Sequence, residues 1–179
     1  MICFDNINGC VKSVSNCQSL NKLSRCSNRA QRFNQFGTLG NKSSGSNNMI
    51  YEFEGKRPTI DPSAYISDSA VVIGDVTIGA RCYVGPGAVI RGDERPIWIG
   101  DESAVEDLCV IHVGGPEAKT DGCHIGKRVT IGHGAMVHGN YIRDGANIGM
   151  GAIVSLFADI GEYTVVAEGA VVKKHQTIP

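Results

Sequence analysis

Residues 125–138 read Ile125-Gly126-Lys127-Arg128-Val129-Thr130-Ile131-Gly132-His133-Gly134-Ala135-Met136-Val137-His138, in which an aliphatic side chain returns every sixth position. The same step runs backwards and forwards from here. Ile60, Ile66, Val72, Ile78, Val84 and Ile90 keep it without a slip, and it resumes after an insertion at Ile99, Val105 and Ile111. Beyond Val137 it shortens once, to Ile142, and continues through Ile148, Val154, Ile160, Val166, Val172 and Ile178. Four residues after most of these aliphatics stands a small residue, as at Ala70, Cys82, Ala88, Ser103, Cys109, Ala135, Ala146, Ala152 and Ala158. A period of six fits neither an α-helix nor an alternating strand. It is the mark of a parallel β-helix whose coils bury their aliphatic faces by stacking.

Composition agrees. Aromatics are 6% of the chain and glycines number 23, which favours small, regular units joined by many turns. The net charge of −1 hides an asymmetry. Residues 1–48 carry six Lys/Arg and one Asp, whereas residues 49–179 carry eleven Lys/Arg and seventeen Asp/Glu. A mildly acidic body argues against nucleic acid as the main partner, and no apolar run approaches the ~20 residues of a membrane span. Residues 1–48 are rich in Ser and Asn and have no hydrophobic period, so they are expected to be a disordered or non-native leader, with Met49 the natural start. Their basic, acid-poor composition is loosely that of a transit peptide. Four of the seven cysteines lie in this leader, and Cys82, Cys109 and Cys123 show no metal-binding spacing, so a reducing compartment and a cytoplasmic location are expected. The chain ends at Pro179 without a clear cap, and more C-terminal chain is expected.

The body, residues 49–179, resembles the left-handed β-helix proteins, in which three hexapeptides make one triangular coil. That resemblance implies an all-β, left-handed parallel β-helix. Three steps return the chain to the same face, so Val72, Ile90, Ile111, Val137, Val154 and Val172 share one face. Ile66, Val84, Val105, Ile131, Ile148 and Val166 share the next, and Ile60, Ile78, Ile99, Ile125, Ile142, Ile160 and Ile178 the third. The residue after each aliphatic points outward, which sets Arg91, His112 and His138 on successive coils of the first face. Strands about 4.7–4.9 Å apart bring His112 and His138 close enough to share a metal. His133 follows Ile131 by two and points from a different face, together with Asp107. It reaches a metal only at a subunit boundary, and a closed homotrimer is the ring that suits a triangular prism. The same docking brings Asp107 near Arg91. His124 and His175 have no such relation and are expected to be surface residues.

The motifs Arg91-Gly92-Asp93, Glu106-Asp107, His112 and Gly132-His133-x4-His138-Gly139 resemble those of the γ-class carbonic anhydrase family in order and spacing. This resemblance covers roughly residues 50–179. It implies a homotrimer with an interfacial zinc, or iron(II) or cobalt(II), held by His112 and His138 of one subunit and His133 of the next. It implies an Arg91–Asp107 ion pair across the interface. It also implies hydration of CO2 to bicarbonate by a metal-bound hydroxide, with Asp93 and Glu106 orienting bound species or relaying protons. Glu106 stands where the family commonly has Gln, and a long acidic loop with a shuttling Glu has no counterpart, leaving Glu94 and Glu117 as stand-ins. Thioester hydrolysis at the same site, a non-catalytic trimeric assembly role and acyl transfer are the competing functions.

Overall fold

The computed structural model describes residues 49–114 and 120–179, so the expectations for residues 1–48 and for Glu117 lie outside the described residues. Those described form a parallel β-solenoid of eighteen strands, numbered in chain order, with no helix among them. None of its elements is a helix long and apolar enough to cross a membrane.

The three faces are those of the six-residue period. On the first lie β1 (Met49–Tyr51), β4 (Val71–Ile78), β6 (Val89–Ile99), β8 (Val110–His112), β11 (Met136–Val137), β14 (Ile153–Val154) and β17 (Val171–Val172). Their register pairs Val72 with Ile90, Ile90 with Ile111, Ile111 with Val137, Val137 with Val154 and Val154 with Val172. The second face holds β3 (Tyr65–Ile66), β5 (Tyr83–Val84), β7 (Ala104–Val105), β10 (Thr130–Ile131), β13 (Asn147–Ile148) and β16 (Val165–Val166). The third holds β2 (Thr59–Ile60), the far halves of β4 and β6, β9 (Cys123–Ile125), β12 (Tyr141–Ile142), β15 (Asp159–Ile160) and β18 (Thr177–Ile178). Ile50, aligned with Val72, adds a rung that the period starting at Ile60 does not include.

Inward aliphatics and small corner residues make one continuous core, with Cys82, Cys109, Ala88 and Ala135 all buried among the branched side chains. Parallel strands only two or three residues long hold because each coil hydrogen-bonds to the next through its turns as well, for example Gly132 N–H to Ile148 O at 2.8 Å.

All departures from the six-residue step fall on one corner, where the chain passes from the first face to the third. Between Ile50 and Ile60 it makes an antiparallel bridge, Phe53 to Lys56. On the next coils, Gly74 pairs with Gly92 and Val76 with Ile97, so Asp93–Pro96 bulge opposite the single residue Asp75. The connection from Ile111 to Ile125 is longer still, and the shortened step from Val137 to Ile142 follows it. Of this surplus chain, Asp93 and Glu94 lie beside His112.

Candidate functional site

Arg91 and His112 are register partners on β6 and β8, and His138 follows Val137, the partner of Ile111. The rings of His112 and His138 meet edge to face, with centroids 5.2 Å apart. Burial is the first cause holding His138 below the ordinary imidazole range, reinforced by the neighbouring His112 and Arg91 charges. A neutral imidazole is the form that ligates a cation.

The Asp93–Pro96 bulge adds two carboxylates. Asp93 Oδ2 accepts from Arg91 Nη2 at 2.8 Å and from Nε at 3.2 Å. Burial pushes its carboxyl up, but the hydrogen bond and charge of Arg91, with His112 beyond, outweigh burial and leave it below the usual range. Asp93 Oδ1 stands 3.1 Å from His112 Nε2, yet their approach lacks hydrogen-bond geometry and both atoms are buried without a partner. Two adjacent buried atoms left unsatisfied are the kind of vacancy a cation or an ordered polar ligand satisfies. Glu94 Oε1 is 3.9 Å from the same His112 nitrogen, and its side chain is 49% exposed.

His133 lies on the second face. Its Nδ1 accepts the backbone N–H of Asp107 at 3.3 Å, which leaves the ring proton on Nε2, facing Glu106 Oε2 at 3.3 Å. Asp107 Oδ2 also stands 3.4 Å from Nδ1. The turn Glu106-Asp107-Leu108 replaces the Gly-x-Gly pattern of residues 85–87, 132–134 and 149–151. Leu108 adopts a left-handed φ of 59° and is 70% exposed. Beside this turn runs a groove of about 260 Å³, with Glu106 and His133 in its wall and Gly132, Gly149, Ala167 and Glu168 further along.

One chain thus brings Arg91, Asp93, His112 and His138 together, and separately brings Glu106, Asp107 and His133 together. Among the described residues no three potential metal ligands converge, and no ring contact or ion pair links His133 with His112 or His138. Within the chain Arg91 pairs with Asp93, while Asp107 stays with His133.

The placement of Glu94 against His112 was visible in the sequence only as the nine-residue step from Ile90 to Ile99. His124 lies on the outer surface, its side chain 32% exposed, with its ring between Trp98 at 4.2 Å and Tyr141 at 5.0 Å. His175 likewise stacks on Phe157 at 4.9 Å. Register explains both, because outward residues on successive coils align into columns.

Residues 57–92 match the bacterial transferase hexapeptide (six repeats) family. The carnitine operon protein CaiE of Escherichia coli (strain K12) is 39% identical over 123 residues, which is 69% of this chain and 61% of that protein. Gamma carbonic anhydrase 2, mitochondrial, of Arabidopsis thaliana is 36% identical over 130 residues, 69% of this chain and 45% of that one. The chain therefore spans less than two thirds of the length of these curated relatives. A hexapeptide transferase family protein from Anaplasma phagocytophilum superposes with a TM-score of 0.66 at 31% identity, over 73% of this chain and 74% of that one. A Bacillus cereus protein crystallised as a candidate acetyltransferase superposes with a TM-score of 0.68 at 34% identity and the same coverage.

Proposed function

Because the chain belongs to the bacterial transferase hexapeptide-repeat family and has relatives named gamma carbonic anhydrase, we propose that it is a γ-carbonic-anhydrase-like metalloprotein. It works as a homotrimer and interconverts CO2 and bicarbonate at sites between subunits. The observation that carries this is the division of three histidines: His112 and His138 meet on paired strands, and His133 is turned away on the adjoining face.

The donor set fits a cation of the zinc class. His112 and His138 would hold it from one subunit, with the buried, unpartnered His112 Nε2 beside Asp93 as its anchor, and His133 would complete it from a second copy. When bound, such an ion supplies Lewis acidity and a water acidic enough to act as a nucleophile near pH 7.

The chain's own residues do the rest. Arg91 keeps Asp93 ionised, so Asp93 is a poor base at neutral pH and a good hydrogen-bond acceptor; it orients the attacking oxygen. Glu94, half exposed and next to His112, carries the released proton outward. Glu106 receives the Nε2 proton of His133 in the free chain, so His133 must turn from Glu106 to serve the neighbouring site. As subunits dock, Arg91 keeps Asp93 on its Nε–Nη2 edge and turns the rest of its guanidinium to the Asp107 of an adjacent copy.

The shared site is tested by complementation. His112→Ala and His133→Ala each bind no metal alone. Refolded together, they regain about a quarter of the sites, the share of interfaces that pair two intact halves in a random ring. Recovery of nothing, or full occupancy in a monomer, sinks the shared site. Acetyl transfer is the alternative that the Bacillus cereus superposition favours. Stopped-flow CO2 hydration on protein of known metal content separates the two, since an acetyltransferase leaves the hydration rate at the buffer value and consumes acetyl-CoA instead.

A further inference from the structure

The third face carries a cluster that the proposed chemistry does not use. Trp98 on β6, His124 on β9 and Tyr141 on β12 occupy one outward column, with register pairs Trp98–His124 and His124–Tyr141. The rings lie nearly parallel, 16° and 14° apart. Asp121 closes the cluster from the approach to β9. Its Oδ2 is 3.1 Å from His124 Nε2, and the Tyr141 hydroxyl donates to its Oδ1 at 3.3 Å. Between Asp121 and His124, Gly122 lies so close to β6 that a Cβ there would collide with the Pro96 carbonyl and come within 2.7 Å of Trp98 Cζ3. Pro96 ends the bulge that carries Asp93 and Glu94.

We propose that His124 is a positioning residue: a proton-operated pin that clasps Asp121 and Gly122 onto β6 and, through Gly122 against Pro96, holds the Asp93–Pro96 bulge in place beside His112. The charges around the ring set its sense. From its own approach His124 meets the Asp121 carboxylate, from β6 the face of Trp98, and from β12 the face of Tyr141. Arg143 lies over the far ring, 5.4 Å from the Tyr141 centroid, and Asp159 is the register partner of Tyr141 on β15. An imidazolium is attracted by the carboxylate and by both ring faces, and of these neighbours the more distant Arg143 opposes it. Protonation therefore tightens the clasp and loss of the proton loosens it. This inference deepens the proposed site by naming what positions Asp93 and Glu94, but its test requires neither metal nor turnover.

Trp98 is the only tryptophan of the chain, so its emission reads the stack directly. Across pH 5–8 we expect one protonation step in Trp98 emission, absent in His124→Gln. At pH 5.5, amide hydrogen exchange at residues 93–95 and 97 should be about two- to fivefold faster in Asp121→Asn than in the wild type, the loss of one largely exposed ion pair. Exchange at Val165–Val166, remote from the cluster, should stay the same. Tyr141→Phe, which keeps the stack and removes only the hydroxyl, should retain the emission step. Emission that ignores pH in the wild type, or a step that survives in His124→Gln, overturns the pin. A pH-dependent emission with no change at residues 93–97 overturns its hold on the bulge. Metal binding in the wild type tests the proposed function separately, so failure of either idea is told from failure of the other.

Discussion

Gly132 and Gly134 flank His133, and replacing each by alanine should destabilise the protein for different reasons. A Cβ on Gly132 would lie 2.9 Å from both Ile148 O and Met150 N. Both are backbone atoms of the next coil, whose spacing is held by hydrogen bonds such as Gly132 N–H to Ile148 O, so neither neighbour yields without parting the coils. Overpacking of this kind costs about 1–3 kcal/mol. Gly134 has open space around its Cβ position but sits at φ +67°. There alanine meets left-handed strain of about 1–2 kcal/mol, partly offset by about 0.4–1 kcal/mol from a stiffer unfolded chain. Both alanines therefore lower the urea midpoint, with Gly132→Ala reducing Tm by roughly 6–10 °C for about 2 kcal/mol. Asparagine separates the two causes, because it tolerates the left-handed region and is larger than alanine. Gly134→Asn should recover most of the loss, and Gly132→Asn should be worse than Gly132→Ala. Equal stability of Gly132→Ala and the wild type, or no recovery in Gly134→Asn, refutes the assignment.

Asp93 predicts a pH effect. Its folded carboxyl sits below the ordinary range, so its contribution is full above about pH 4, the unfolded value, and disappears as pH falls through the folded value. Asp93→Asn should flatten the acid limb of the stability curve, measured by urea midpoints, and leave its shape above about pH 5 unchanged. Burial raises the thiols of Cys82, of Cys109 to about 11 and of Cys123 to about 12. Peptide mapping after alkylation of native protein at pH 7.5 should find all three unlabelled, and labelling of Cys109 would contradict its packing against Ile131 O and Gly132 O. Ile148→Ala, at a fully buried inward position, should cost about 2–5 kcal/mol. Its spectroscopic signature should remain that of a β-solenoid by circular dichroism.

The inward half of this molecule was legible because its pattern is set by packing. An aliphatic at each sixth position has one place to go, so the period alone assigned Ile111, Val137 and Val154 to adjacent rungs of one face, as their pairing shows. It also put His112 next to His138 and turned His133 away from both. Outward side chains obey no such constraint. Nothing in the period says that Arg91 bonds Asp93 or that His133 faces Glu106. Those contacts depend on rotamers and on loops whose path the repeat does not encode. The broken steps after Ile90 and Ile111 were visible as numbers and the face assignment put them on one corner, but the approach of Asp93 and Glu94 to His112 emerges only once the coils are stacked.

The pairing of β8 with β11 has a consequence for how this site can change. His112 and His138 are spaced by an amide-to-carbonyl ladder, including His138 N–H to Val154 O at 2.8 Å on the rung beyond. Their separation is inherited from the peptide unit, which every sequence shares, and not from the side chains beneath. Valine, isoleucine and leucine can therefore be exchanged in the core over long divergence while the donor spacing stays at one strand pitch. A chemical dimension written into the backbone is one that drift in the core does not erase.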